Sequence, residues 1–196
     1  MIVKRLFVAA CASLLIVTSL QGCAPVIVAG AATTGALVAH DRRTAGTILD
    51  DQTSEHKISS AIHADTKLMK NSRIKVIVFN GIALLVGQVP SEQHRKRAAA
   101  HARQQMKVKQ VNNEIKITSP IGLKVQNNDA AITFKVKSTL ISAKGLSSAY
   151  IKVVTERGVV YLMGLVTREE GDAAAKITQR VKGVQGVVKV FEYIEA

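Results

Sequence analysis

Few side chains in this sequence are of a type that does chemistry, and their spacing rules most of it out. His56 and His63 stand seven residues apart, as do His94 and His101. On a helix that is two turns, ~10 Å along the axis, too far for one metal ion to bind both. Asp50-Asp51 and Glu169-Glu170 are adjacent in sequence, so their carboxylates diverge instead of forming an acid–base pair, and capping and solvation account for them. No phosphate-binding glycine loop and no nucleophile elbow occurs. The sequence offers no catalytic residue, no metal site and no cofactor site, and the expectation is a protein that is not an enzyme. What remains is a thiol. The chain has two cysteines, Cys11 and Cys23, and Cys23 follows directly on Leu20-Gln21-Gly22.

The segment that positions this thiol has three parts. Lys4 and Arg5 give a charged start, Leu6 to Val17 an apolar run, and Ser19 to Gly22 a mostly small-residue end. This is the layout of a secretory signal, and the run is too short to span a bilayer comfortably. Residues 1–22 are therefore read as a signal peptide. Leu20-Gln21-Gly22-Cys23 resembles the lipobox of bacterial lipoproteins, with Gln21 a tolerated variant. That resemblance implies that Cys23 is the site of lipid attachment and the first residue of the mature chain. Ala24 in place of an aspartate implies the outer membrane. The plainer alternative is a cysteine buried in a signal peptide. If Cys11 leaves with the signal and Cys23 carries lipid, no thiol is left for a disulfide, a metal or a nucleophile.

Residues 23–49 are read as a lipidated tether and lead-in. Ala24 to Ala39 is uncharged, but Pro25, Gly30 and Gly35 make it a poor second membrane span. The 27 basic residues less Lys4 and Arg5 leave 25 against 14 acidic ones, so the formal charge falls from +13 to +11. A chain this basic seeks polyanions. Outside the inner membrane these are anionic headgroups, lipopolysaccharide or acidic proteins more often than nucleic acid. Nucleic acid is also disfavoured by the aromatic content: four Phe, three Tyr and no Trp, with no aromatic-studded basic strand.

The remainder is a duplication. Arg73 to Val89 aligns with Tyr150 to Val166 at a constant offset of 77, with seven identities. Each copy reads helix, strand, strand, helix, strand. Asn80-Gly81 and Arg157-Gly158 fall at hairpin turns. Gly87 and Gly164 recur inside the second strands, where a bulge or a close helix is expected. Second helices are expected from Ser91 and Thr167, the latter with a capping box through Glu170. Val111 to Ile117 and Val187 to Ile194 are expected to close the sheets.

The spacing V-x-x-x-x-G-x-x-x-L-x-G-x-V at Val76 to Val89, repeated at Val153 to Val166, resembles the BON domain, a family named for bacterial osmotic-shock and nodulation proteins. Two copies behind a lipobox, with Asp41, Arg43, Gly46, Asp50 and Asp51 in the lead-in and Pro120 to Leu123 between them, resemble the outer-membrane lipoproteins of that family. The resemblance implies an α+β fold of two tandem αββαβ domains, each a small three-stranded sheet with two helices on one face. It implies no enzyme activity, a role in envelope integrity, binding of anionic phospholipid, and association with the outer-membrane assembly machinery. The expected bounds are 50–118 for the first domain, 119–126 for a linker and 127–196 for the second domain.

The candidate site is the first helix of the second copy, expected over about Asp129 to Ala143. Ile132, Val136, Thr139, Leu140 and Ala143 would face the sheet. At 100° per residue Phe134 and Ile141 fall on the opposite side, flanked by Lys137 and Lys144. Apolar groups between lysines on an outward face suit an interfacial helix: the apolar groups enter the headgroup boundary and the ammonium groups meet phosphates. The alternative is that Phe134 and Ile141 pack on the other domain or the linker. The first copy presents His56, Ser60 and His63 there, none of them apolar. Members of the family carry a tryptophan where this chain has Ala131. A second basic surface is expected at Arg95, Lys96, Arg97, Arg103 and Lys107, explained either by solvation or by contact with lipid or an acidic partner. The expected partner is an anionic phospholipid membrane, and the expected state is a monomer with its domains in the periplasm. The alternative function is a protein-interaction or chaperone module serving the assembly machinery or its clients.

Overall fold

The computed structural model describes residues 41–143, Leu146 and residues 150–195. The segments expected as signal peptide and tether up to residue 40, with Cys23 among them, and Lys144 lie outside the described residues.

The first domain opens with α1 (Ala45–Ala64), whose first turn is capped by the Thr44 hydroxyl accepting from the Thr47 amide at 3.1 Å. Its buried stripe is Asp51, Ser54, Ile58 and Ile62, spaced three or four residues apart. Asp65 ends α1 and caps the single turn of α2 (Thr66–Met69). Strands β1 (Arg73–Phe79) and β2 (Ile82–Val89) pair antiparallel around Asn80-Gly81. Both turn residues have positive φ, 49° and 76°, as a two-residue hairpin loop of matching twist requires. Helix α3 (Glu92–Arg103), capped by Ser91, leads to β3 (Gln110–Asn113) and β4 (Lys116–Ile117), both parallel to β2.

The closing strand expected as one run over Val111 to Ile117 is thus broken in two. The Asn113 side chain accepts from the Ile115 amide at 3.3 Å and donates to the Arg95 carbonyl at 2.9 Å. That takes Ile115 out of the ladder and into the helical core.

The second domain repeats the order with α4 (Leu123–Ser142), β5 (Ile151–Glu156), β6 (Val159–Val166), α5 (Arg168–Gln179) and β7 (Gly186–Tyr193). Here the capping box at Thr167 is complete, and β7 runs unbroken and parallel to β6. Helix α4 begins at Leu123, six residues before the expected Asp129, so it takes up residues expected as linker. Gly122 occupies the N-cap with no side-chain bond.

Gly87 and Gly164 have a cause other than a bulge or a close helix. A Cβ on Gly87 would stand 2.0 Å from the Arg73 carbonyl oxygen, and one on Gly164 2.4 Å from that of Tyr150. The obstruction in both copies is backbone at the start of the antiparallel neighbour: the first residue of β1 for Gly87 and the residue just before β5 for Gly164.

Strand alternation explains how the domains meet. Along β2, Ala83, Leu85 and Val89 join Ile58, Ile62, Ala98, Ala99 and Ala102 in one core. Along β6, Val160, Leu162 and Val166 do the same with Ile132, Val136, Leu140 and Ala174. The intervening residues, Ile82, Leu84 and Val86 on β2 and Tyr161 and Met163 on β6, form a third core with Ile77, Phe79 and Val190. The two sheets therefore pack face to face with helices outside, in four layers, and β2 is buried along its whole length.

The seam has a polar edge. Glu156 of β5 reaches into the first domain, where Arg73 and the Gln88 amide each donate to its Oε1 at 2.7 Å. Lys75 Nζ lies 3.2 Å from its other oxygen. Burial pushes the Glu156 carboxyl up, but the Gln88 and Arg73 donors and the Lys75 charge together hold it below its ordinary value. Further bonds between the domains run from Lys152 to Glu55 at 3.4 Å, from Asn80 to Glu192 at 2.7 Å and from Arg73 to Gln126 at 3.4 Å.

Candidate functional site

Helix α4 is held by two inward devices. Its apolar stripe, Ile132, Val136 and Leu140, is at most 1% exposed. Its one carboxylate, Asp129, is buried and accepts from the Arg157 and Gly158 amides, each at 2.8 Å, at the tip of the β5–β6 hairpin. Asp51 of α1 does the same for Asn80 and Gly81 at 2.6 and 2.8 Å. Each domain thus uses a helix carboxylate to satisfy the paired amides of a tight turn. Sequence reading assigned Asp51 only to capping and solvation and gave Asp129 no role. Their common position before a helical stripe, with an x-Gly turn downstream, is the signal that links them.

With the inward face so fixed, the outward face follows. Phe134 is 73% exposed and Ile141 70%. Neither packs on the other domain or on the segment joining the domains, so that alternative is removed. Leu123, 75% exposed, lies on the same line of the helix, eleven residues before Phe134. The three side chains form a stripe about 27 Å long. Leu123 was not among the expected site residues because α4 was expected to start later. Lys124, Lys135 and Lys137 are exposed on the same helix and make no ion pair among the described residues. Thr139, expected to face the sheet, is exposed instead, and its hydroxyl donates to the Lys135 carbonyl at 2.8 Å.

The second basic surface is altered by partners that sequence proximity did not reveal. Arg97 pairs with Asp65, which His101 Nε2 also meets at 2.9 Å. These contacts, Arg97 first, hold the Asp65 carboxyl far below the ordinary range. Lys107 pairs with Asp50 at 3.1 Å and Arg95 with Glu92 at 2.9 Å. Only Lys96 and Arg103 of the five make no ion pair among the described residues. The expected surface is therefore largely neutralised locally. It also sits on the first domain's helical layer, on the far side of the molecule from α4. Among the described residues no group of three His, Cys, Asp or Glu side chains could hold a metal ion, and no helix is long and apolar enough to cross a membrane.

Known proteins agree with this architecture. The BON domain family model matches residues 50–119 and 128–195. The outer membrane lipoprotein DolP of Haemophilus influenzae is 36% identical over 176 residues, covering 90% of this chain and 91% of that protein. The 21 kDa hemolysin of Actinobacillus pleuropneumoniae is 34% identical, covering 79% of this chain and 80% of its own length. The osmotically-inducible protein Y of Escherichia coli is 28% identical, with 72% of each chain covered. A pair of sheet-packed αββαβ units over this span makes the chain a two-domain member of the BON family, an outer-membrane envelope protein similar to the DolP lipoprotein.

Proposed function

We propose that the chain is a lipid-anchored, non-enzymatic module that binds anionic phospholipid through α4 and thereby supports the outer-membrane barrier. The carrying observation is the outward stripe of Phe134 and Ile141, uncovered by any described part of the chain and bordered by Lys137 with no carboxylate exposed on the helix. Leu123 lengthens the apolar line, and Lys124 and Lys135 add to the cationic border. Buried apolar area is worth about 25 cal/mol per Å2, so a Phe and an Ile entering the headgroup boundary supply a few kcal/mol. An acyl anchor at Cys23 makes such weak binding effective by raising the local concentration. The fourth expected residue of this site, Lys144, lies outside the described residues.

The test is a vesicle titration of the domain pair, residues 41–196. Binding to phosphatidylglycerol vesicles, weakened by salt and by Phe134→Ser with Ile141→Ser, is expected. Equal binding to neutral phosphatidylcholine vesicles, or indifference to the double substitution, would overturn it. The protein-interaction alternative, acting on assembly machinery or its clients, would have to use helical or loop surfaces, because the sheet faces cover each other.

A further inference from the structure

Arg42 and Arg43 are neighbours in sequence, yet each is committed to a different domain. Arg42 Nη1 donates to Glu170 Oε2 at 2.6 Å and to the Leu165 carbonyl at 3.0 Å, and its Nη2 donates to Glu170 Oε1 at 2.9 Å. Its guanidinium carbon lies 4.0 Å from the centroid of the Tyr150 ring. All these partners belong to the second domain. Arg43 Nη1 donates to Asp51 Oδ2 at 2.8 Å, and its guanidinium carbon lies 3.7 Å from the centroid of the Phe79 ring. The Asp41 carboxylate holds that guanidinium from the other side, its Oδ2 2.7 Å from Nη2. Asp51 and Phe79 belong to the first domain, and Asp41 to the same short segment as the arginines. Asp51 is the residue that caps the first hairpin, and Phe79 belongs to the apolar core between the sheets.

We propose that Asp41 to Arg43 is a strap that fixes the two domains in one register and fixes the point at which the preceding chain joins them. The apolar seam between the sheets supplies adhesion that is non-directional, and the Glu156 contacts with Arg73 and Gln88 orient it at one edge. Two planar guanidinium groups, one forked onto Glu170 and one onto Asp51 and Asp41, demand defined geometry. Each ring beneath adds a cation–π contact. A single peptide link between the two arginines ties the domains at a spacing that neither can change alone. The orienting role relative to a membrane rests on the anchor at Cys23; the locking role does not.

Pulse electron–electron resonance on the full-length protein in detergent micelles tests the lock. Spin labels at Ser60→Cys on α1 and Ser138→Cys on α4 report the distance across the four layers, with protein lacking both introduced cysteines as the labelling control. The unsubstituted strap should give one narrow distance. Arg42→Ala with Arg43→Ala should add a second population of roughly 10% or more, and Arg42→Lys should also broaden the distribution because a lysine cannot fork. Arg42→Glu should broaden it too, and adding Glu170→Arg should recover most of the narrow peak. An unchanged distribution in the double alanine protein would overturn the strap. Should that protein fail to fold by circular dichroism, the charge-exchange pair decides, and absence of recovery overturns it. Because the distances are read without vesicles, failure of the phospholipid reading leaves this outcome distinct.

Discussion

Helices α1 and α4 hold the same place in the two domains, and superposing their roles shows which parts of a duplicated helix are free to change. Asp51 and Asp129 cap equivalent hairpins, Ile58 and Val136 fill the same core position, and so do Ile62 and Leu140. This correspondence runs at an offset of 78, one more than in the strands, and it sets His56 against Phe134 and His63 against Ile141. Charge diverges with them: α1 carries three carboxylates and one lysine, α4 three lysines and one buried carboxylate. The inward residues answer to the fold, so both copies keep them. The outward residues answer to nothing inside the molecule, and their difference is where function is to be sought.

The largest expected effect removes what both helices share. Cys23→Ala should shift the protein entirely from the membrane to the soluble fraction; retention in outer-membrane fractions would break the anchor assignment and leave α4 to explain it. Next comes the exchange of outward faces. Phe134→Ser with Ile141→Ser should weaken binding to anionic vesicles by at least about tenfold, ~1.4 kcal/mol. Placing His56→Phe and His63→Ile on α1 of that protein should restore less than the loss, because α1 brings carboxylates to the same membrane. Full restoration would show that the apolar pair alone matters and the lysine border does not.

The comparison is sharpened by the inward pair. Asp51→Ala and Asp129→Ala each strand two turn amides and should each cost about 1–3 kcal/mol in chemical denaturation. Asp51→Ala should cost more, because it also removes one of the two carboxylates that hold Arg43. A smaller effect comes from acid. The folded Glu156 carboxyl titrates below its ordinary value of 4.5, so its stabilisation is complete above that pH and is lost as pH falls through the lower folded value. Thermal melts from about pH 6 to about pH 3 should show the seam weakening below 4.5. Glu156→Gln should flatten that dependence while lowering stability at neutral pH, since Arg73 and Lys75 lose their countercharge. Acid sensitivity unchanged by Glu156→Gln would assign it to other carboxylates, Asp65 first.

Much of this was legible because it is local. Hairpins at Asn80-Gly81 and Arg157-Gly158, the Thr167 capping box and the stripes of α1 and α4 depend on residues a few positions apart, and propensity and periodicity read such distances well. Errors came where a side chain intervened from outside the pattern. Asn113 split the third strand of the first domain, and the early start of α4 was missed for the opposite reason, because Gly122 offers no capping oxygen to mark it. The basic stretch of α3 looked unopposed because Asp65 and Asp50 lie about thirty residues or more away along the chain.

By itself the sequence determined the signal-like start with its cysteine, the duplicated αββαβ order, and the outward position of Phe134 and Ile141. All are properties of spacing along one segment. The tertiary structure alone decided what each buried face meets. A continuous apolar run such as Ile82 to Val86 requires cover on both sides but does not say by what. Here the answer is the other sheet, because two small domains that each bury one sheet face under helices can hide the second only against another apolar surface. Arg42 and Arg43 carry the same lesson for charge, since their partners up to 128 residues away are set by the packing that brings the domains together.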